Sequence, residues 1–159
     1  FRMVLGTYPD LKLVIVGKKG WLYEKIYDSA RHKDLKKHVI FTGYLPDSHV
    51  ATLYKNAYMF VLPSFYEGFG IPILEAMSHS CPVIASKVSS LPEIGGDACL
   101  YFDPHDAIQL KQTIIKLLDD ESLRRDLVKK GKKRIKQFSW EKCGRSTLKI
   151  LEEVASQTN

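Results

Sequence analysis

Pro63-Ser64-Phe65-Tyr66-Glu67-Gly68-Phe69-Gly70-Ile71-Pro72-Ile73-Leu74-Glu75-Ala76-Met77 is the stretch on which the reading of this chain turns. An apolar run, Tyr58–Leu62, stops at Pro63, a glycine-rich loop follows, and helical spacing begins at about Ile71. Pro72 suits a first helical turn, where a missing N–H costs little. A buried strand, a glycine loop and a helix in that order form the repeating unit of a parallel α/β layer. Gly68 and Gly70 allow backbone N–H groups close approach to a ligand, and a helix start beyond them is a ready place for a diphosphate. Such a loop lies at the carboxyl end of its strand, where open α/β sheets bind ligands.

The same alternation extends in both directions. Leu11–Val16, Val39–Thr42, Pro82–Ala85 and Cys99–Phe102 are further short runs rich in apolar residues. They show little in/out alternation, which predicts strands buried on both faces of a parallel sheet. Helical stretches are expected near 21–32, 47–56, 71–79, 105–118, 121–136 and 140–155. The fold class is therefore α/β, a Rossmann-like doubly wound parallel sheet with helices on both faces. Asp47 and Ser48 are placed to cap one helix and Ser139 the last, and Asp103-Pro104 marks the stop after the final strand. Gly17, Gly20, Gly43, Gly68, Gly70, Gly95 and Gly96 all stand at expected strand or helix ends. Phe1–Tyr8 reads as the tail of a helix that runs straight into a strand. Parallel sheets are entered by a crossover from an earlier strand, so the chain is expected to lack its first strand, with roughly 25 residues missing from that unit. A free N-terminal helix is the alternative.

Composition narrows the function classes. No apolar run reaches the roughly 18 residues of a membrane span, and no secretion signal is legible. Cys81, Cys99 and Cys143 form no close pair, which fits a reducing compartment and a cytoplasmic location. The five histidines show no zinc spacing, so no metal is expected. The net charge of +6 arises largely from Lys129, Lys130, Lys132, Lys133, Arg134 and Lys136. Such a run is ordinarily a solvated helix face; its other use is peripheral attraction to an anionic membrane surface. No groove-reading or base-stacking element accompanies it, so no nucleic acid is expected as a partner.

Two carboxylates flank the loop. Glu67 precedes the glycines and Glu75 lies about one turn into the helix; each can accept hydrogen bonds from neighbouring hydroxyls of a polyol. Glu67 is placed for a hexose and Glu75 for a ribose. Their plainer readings are a solvated loop residue and an acid favoured by the helix dipole. Spacing alone leaves both open.

With seven residues between them, in the context Pro-Ser-x-x-Glu-Gly-Phe-Gly-x-Pro-x-Leu-Glu-Ala-Met, the two acids resemble the E-x7-E motif of glycosyltransferase family 4. The likeness covers almost the whole chain. Leu13–Gly17, Val39–Tyr44, Pro82–Ser86, Leu91-Pro92-Glu93, Gly95–Ala98 and Phe138-Ser139-Trp140 each resemble a family segment. Lys18-Lys19-Gly20-Trp21-Leu22-Tyr23 looks most like the mannosyltransferase branch. The resemblance implies one half of a GT-B enzyme, two Rossmann-like domains facing a cleft. Residues 1–159 would be the C-terminal donor-binding domain, and 139–159 a terminal helix returning toward the N-terminal acceptor domain.

It implies retaining transfer of a hexose from a nucleotide sugar, GDP-mannose favoured over a UDP-sugar, to a glycan or lipid-linked saccharide. No bound cofactor or catalytic metal is implied. Glu67, the implied catalytic residue, would contact the transferred sugar together with Gly68. Phe69, Gly70 and Ile71 would offer N–H groups to sugar or phosphate. Glu75 would hold the ribose, Leu74 would pack near the nucleotide, and Gly17 with Val39, Ile40 and Phe41 would border the base. The family's diphosphate-gripping Arg and Lys follow the strand this chain is expected to lack, and neither Lys18 nor Lys19 is promoted to that role. Ser78-His79-Ser80 departs from the family's small-residue turn; His79 reads as a surface residue at a helix end. A non-catalytic α/β binding module and a GT-B sugar-nucleotide epimerase are the competing functions.

Overall fold

The computed structural model describes residues 1–20 and 23–157. In chain order the elements are α1 (Arg2–Leu5), β1 (Leu13–Val16), α2 (Glu24–Ala30), β2 (Val39–Gly43), α3 (Asp47–Asn56), β3 (Phe60–Leu62) and α4 (Ile71–Ser78). They continue with β4 (Val83–Ser86), α5 (Leu91–Gly95), β5 (Cys99–Phe102), α6 (Ala107–Asp119), α7 (Glu121–Arg134) and α8 (Trp140–Gln157). All five expected strands are present, each within two residues of its expected start. The start of the helix expected over 21–32, and Trp21-Leu22 of the mannosyltransferase-like segment, lie outside the described residues.

Every strand pairing is parallel, in two groups: β1 with β2, and β3-β4-β5 with β4 central. The central strand shows why the fold closes. Val83, Ile84, Ala85 and Ser86 are all buried, and successive side chains of a strand point to opposite faces. Val83 and Ala85 join one cluster with Ile73, Ala76 and Met77 of α4 and Leu91 and Ile94 of α5. Ile84 joins the other, with Val4 of α1, Ile114 and Leu117 of α6 and Leu127 of α7. Helices thus cover both faces of this group, as a doubly wound layer requires.

The remaining pair departs from expectation. Burial on both faces was anticipated for most strands, yet Val14, Val16 and Ile40 are exposed. The alternate positions, Leu13, Ile15, Val39 and Phe41, are partly buried, and Phe41 stacks on Tyr27 of α2 at 4.0 Å between ring centroids. The α2 side of this pair is covered, and among the described residues no helix buries Val14, Val16 and Ile40 on the other face; no ladder joins β1 or β2 to β3.

Capping also differs in detail. Pro46, not Asp47 or Ser48, occupies the N-cap of α3, and no side chain caps that end; Asp47 sits in the first turn instead, where its charge favours the helix dipole. Ser139 does cap α8, accepting from the Lys142 N–H at 3.1 Å. Two caps were not anticipated: Asp106 accepts from Ile108 and Gln109 N–H, and Asp120 from Leu123 N–H. Asp106→Ala is expected to cost about 1 kcal/mol, seen as a drop of ~2–4 °C in Tm; an unchanged Tm contradicts a capping role. Helix α5 was also missed: no helix was expected between β4 and β5, where Gly95 and Gly96 read only as punctuation.

Within the basic run, Lys129, Lys132, Lys133 and Lys136 are exposed, while Lys130 pairs with Asp126 at 2.8 Å. Arg134 is not part of a solvated face. Its guanidinium donates to the carbonyls of Ile94 and Glu93 and lies over Phe138, tying α7 to α5. Among the described residues no helix is long and apolar enough to cross a membrane. Cys81 and Cys99 are buried and Cys143 is exposed. Burial pushes the first two thiols up to about 12. Brief treatment of the native protein with iodoacetamide near neutral pH should therefore alkylate Cys143 alone, as read from peptide masses; comparable labelling at Cys81 or Cys99 refutes this.

Candidate functional site

The loop between β3 and α4 is built around Gly70. This residue is the N-cap of α4 and holds φ 102°, ψ 39°, a left-handed conformation that a side chain rarely tolerates. A Cβ there would also stand 2.6 Å from Leu91 Cδ2. Glycine is needed at this position for both reasons. Gly68 has neither constraint: its φ is not positive and nothing crowds it.

The loop's polar groups divide into two sets. The carbonyls of Glu67 and Phe69 both lie 3.0 Å from the Ser90 hydroxyl and share its single O–H proton. The Glu67 N–H donates to Ser89 Oγ at 3.1 Å. By contrast, the N–H groups of Gly68, Phe69, Gly70 and Ile71 make no hydrogen bond among the described residues. Pro72 has no N–H to offer, and Ile73 donates back to the Gly70 carbonyl. Four successive donors without a partner at the start of a helix are suited to cradle an anion, although Gly70 itself is buried.

The two acids stand on either side of that cradle in sequence. Glu67, partly buried, accepts from Ser64 Oγ at 2.8 Å through one carboxylate oxygen. Glu75, exposed, lies four residues into α4, about 6 Å along its axis. Its Oε2 accepts from the Tyr54 hydroxyl of α3 at 3.4 Å. Burial, with the Glu75 carboxylate adding to it, pushes the Tyr54 phenol well above its ordinary range. Tyr54 therefore remains a donor at every working pH. Leu74 packs partly buried against the cluster beneath α4. His79 follows the helix end and faces the Tyr54 ring at 5.9 Å.

The residues expected to border the base are brought together only in part. Gly17 and Gly43 meet at the carboxyl ends of β1 and β2, the Gly17 N–H donating to the Gly43 carbonyl at 3.0 Å. Ile40 and Phe41 lie within β2, and Val39 opens it, about 13 Å from Gly43 along an extended strand. Val39 is thus at the opposite edge of the pair from Gly17. Lys18 Nζ lies over the Tyr44 ring, and Lys19 Nζ over the rings of Tyr23 and Tyr27. Among the described residues no three His, Cys, Asp or Glu side chains converge on a point that would hold a metal ion.

Ser64, Ser89, Ser90, Tyr54 and Phe138, whose ring meets that of Phe69 edge-on at 6.0 Å, were not anticipated at this site. Only Ser64, three residues before Glu67, left a local signal. The others reach their partners at the site from 21 to 69 positions away and have no spacing that announces them.

Compared with known structures, the fold and this loop define a glycosyltransferase domain of the GT-B type. Over 98% of its length the chain superposes with a TM-score of 0.86 on 41% of sucrose-phosphate synthase from Thermosynechococcus elongatus, at 28% identity. Over 86% it superposes with a TM-score of 0.74 on 73% of the C-terminal domain of a glycosyl transferase group 1 family protein from Francisella tularensis, at 29% identity. The chain belongs to the family of Glycosyl transferases group 1, whose model matches residues 1–134. It is 42% identical to O-antigen chain mannosyltransferase B of Escherichia coli over 141 residues. That match takes in 89% of this chain and 36% of the relative, so the chain spans about a third of the protein it resembles. The family read from the Glu67–Glu75 motif is thereby borne out.

Proposed function

We propose that residues 1–159 are the C-terminal, donor-binding domain of a retaining hexosyltransferase. It takes a nucleoside diphosphate sugar, GDP-mannose ahead of a UDP-sugar, and serves transfer to a glycan or lipid-linked acceptor held by an N-terminal domain. One observation carries this: the N–H groups of Gly68–Ile71, unpaired among the described residues, lie in sequence between a carboxylate on the loop and a carboxylate on α4. In this reading Glu67 accepts hydrogen bonds from hydroxyls of the sugar to be moved. The cradle and the α4 N-terminus receive the diphosphate, and Glu75, with Tyr54 behind it, takes the ribose. The Gly17–Gly43 junction borders the base.

As the bond from the sugar carbon to the diphosphate breaks, positive charge grows on the ring and negative charge on the leaving group. Donors already aimed at that negative charge stabilise the transition state without reorganising. Glu67 beside the ring favours the positive charge as well as the orientation of the sugar.

The domain assignment has separate support. The relatives are longer proteins, and β1 and β3 share no ladder, as expected if one further parallel strand belongs between them. Helix α8 has no buried residue, and its Trp140 is 84% exposed, with Leu148 and Leu151 exposed farther along; the acceptor domain would cover it. The basic face of α7 is available for peripheral contact with an anionic membrane.

The test is a titration with GDP-mannose, UDP-glucose and UDP-N-acetylglucosamine, followed by amide NMR. Shifts concentrated in 63–77, largest for the sugar nucleotide that binds best, are expected. No response there at millimolar concentration, even with the N-terminal strand and acceptor domain present, rejects the proposal. Tyr54→Phe should weaken the preferred donor by roughly threefold to tenfold, the worth of one hydrogen bond, with little change in Tm. An unchanged affinity removes Tyr54 from the site.

A further inference from the structure

Ser89 and Ser90 spend their hydroxyls on a loop more than twenty residues away in sequence. The Ser90 hydroxyl reaches two carbonyls, those of Glu67 and Phe69, and Ser89 Oγ accepts from the Glu67 N–H. Both peptide groups of Glu67 are therefore gripped from the segment after β4, while Ser64 holds one of its carboxylate oxygens.

The ordinary uses of two serines at a helix start do not account for this. Ser90 is the N-cap of α5, where a serine normally accepts from its own helix, yet it makes no side-chain cap hydrogen bond. Ser89 has φ 43°, a conformation that glycine adopts without strain and serine does not. A turn alone would be served better by glycine. Serine at a strained position is explained by its hydroxyl.

We infer that Ser89 and Ser90 are positioning residues for donor recognition: they lock the Glu67 backbone, aim its carboxylate at the sugar, and turn two loop carbonyls inward so that the neighbouring N–H groups face the ligand. This rests on the reading of Glu67 as the sugar-binding acid. Neither serine contacts the donor; both act through the loop.

The test uses the whole polypeptide that carries this chain, with Ser89→Gly, Ser90→Ala, Ser90→Thr and Glu67→Ala. It reads Tm, amide hydrogen exchange over 67–71, and the dissociation constant of whichever of GDP-mannose, UDP-glucose and UDP-N-acetylglucosamine binds the wild type most tightly. Ser89→Gly relieves the backbone and should leave Tm level or higher, while the Glu67 amide exchanges faster and the donor binds roughly fivefold to tenfold more weakly. Ser90→Ala should weaken the donor similarly, and Ser90→Thr, which keeps the hydroxyl, should restore it.

Three results overturn the inference. In the first, Ser89→Gly and Ser90→Ala bind donor as the wild type does while Glu67→Ala fails; the site reading then stands and the clamp does not. In the second, Ser90→Thr is as impaired as Ser90→Ala, which makes the effect one of packing. In the third, Glu67→Ala binds donor normally, and the reading of the site falls together with the clamp.

Discussion

Glu67→Ala is expected to lower transfer from the sugar nucleotide by roughly a hundredfold or more while leaving the fold intact. A carboxylate that accepts from two sugar hydroxyls makes two charge-assisted hydrogen bonds, each worth about 1.5–3 kcal/mol. Every 1.4 kcal/mol is about a factor of ten, so losing both removes roughly two powers of ten or more. The structural cost is small by comparison, because among the described residues the Glu67 side chain has one partner, Ser64, in a partly exposed loop. Steady-state kinetics on the whole protein and a thermal melt separate the two. Glu67→Gln keeps one acceptor and should fall between the extremes. A fully active Glu67→Ala variant would show that the acid has no role in transfer.

The second large effect is on the fold itself. Gly70→Ala forces a side chain into the left-handed region and drives its Cβ to 2.6 Å from Leu91 Cδ2. Backbone strain of about 1–3 kcal/mol adds to an overpacking cost of about 1–3 kcal/mol. At ~2–4 °C per kcal/mol, a fall in Tm of about 5–20 °C is expected. Leu91 is fully buried against α4 and β4 and has little freedom to retreat. Relief of the clash would have to tilt the start of α4 and displace the free N–H groups, so donor affinity should fall along with stability. Gly68→Ala is the control, since nothing lies within 4 Å of the added carbon and φ is ordinary; its Tm should stay close to that of the wild type. Equal Tm values for the two variants would contradict the geometry at Gly70.

Much of this protein is carried by local pattern. Val83–Ser86 is apolar enough to be buried on both faces, and Ile71–Ser78 opens with a proline and places Ile73, Ala76 and Met77 on one side. Such features depend on residues within one or two turns of each other, so strand and helix positions were legible from the chain alone. So was the glycine loop around Gly70, because a strand, a glycine loop and a helix start follow one another without interruption; spacing left the roles of Glu67 and Glu75 open, and their pairing was read from the family resemblance.

What only the tertiary structure decided depends on residues far apart in the chain. Ser89 and Ser90 grip the Glu67 backbone, Tyr54 donates to Glu75, and Arg134 leaves the basic run to bind the carbonyls of α5. A hydroxyl or a guanidinium carries no periodicity that says which distant carbonyl it will meet. The one-sided burial of β1 and β2 belongs here too. Leu-Val-Ile-Val reads alike whether one face or two is covered, and the difference is set by which elements pack over each face, which short-range hydrophobic pattern does not encode.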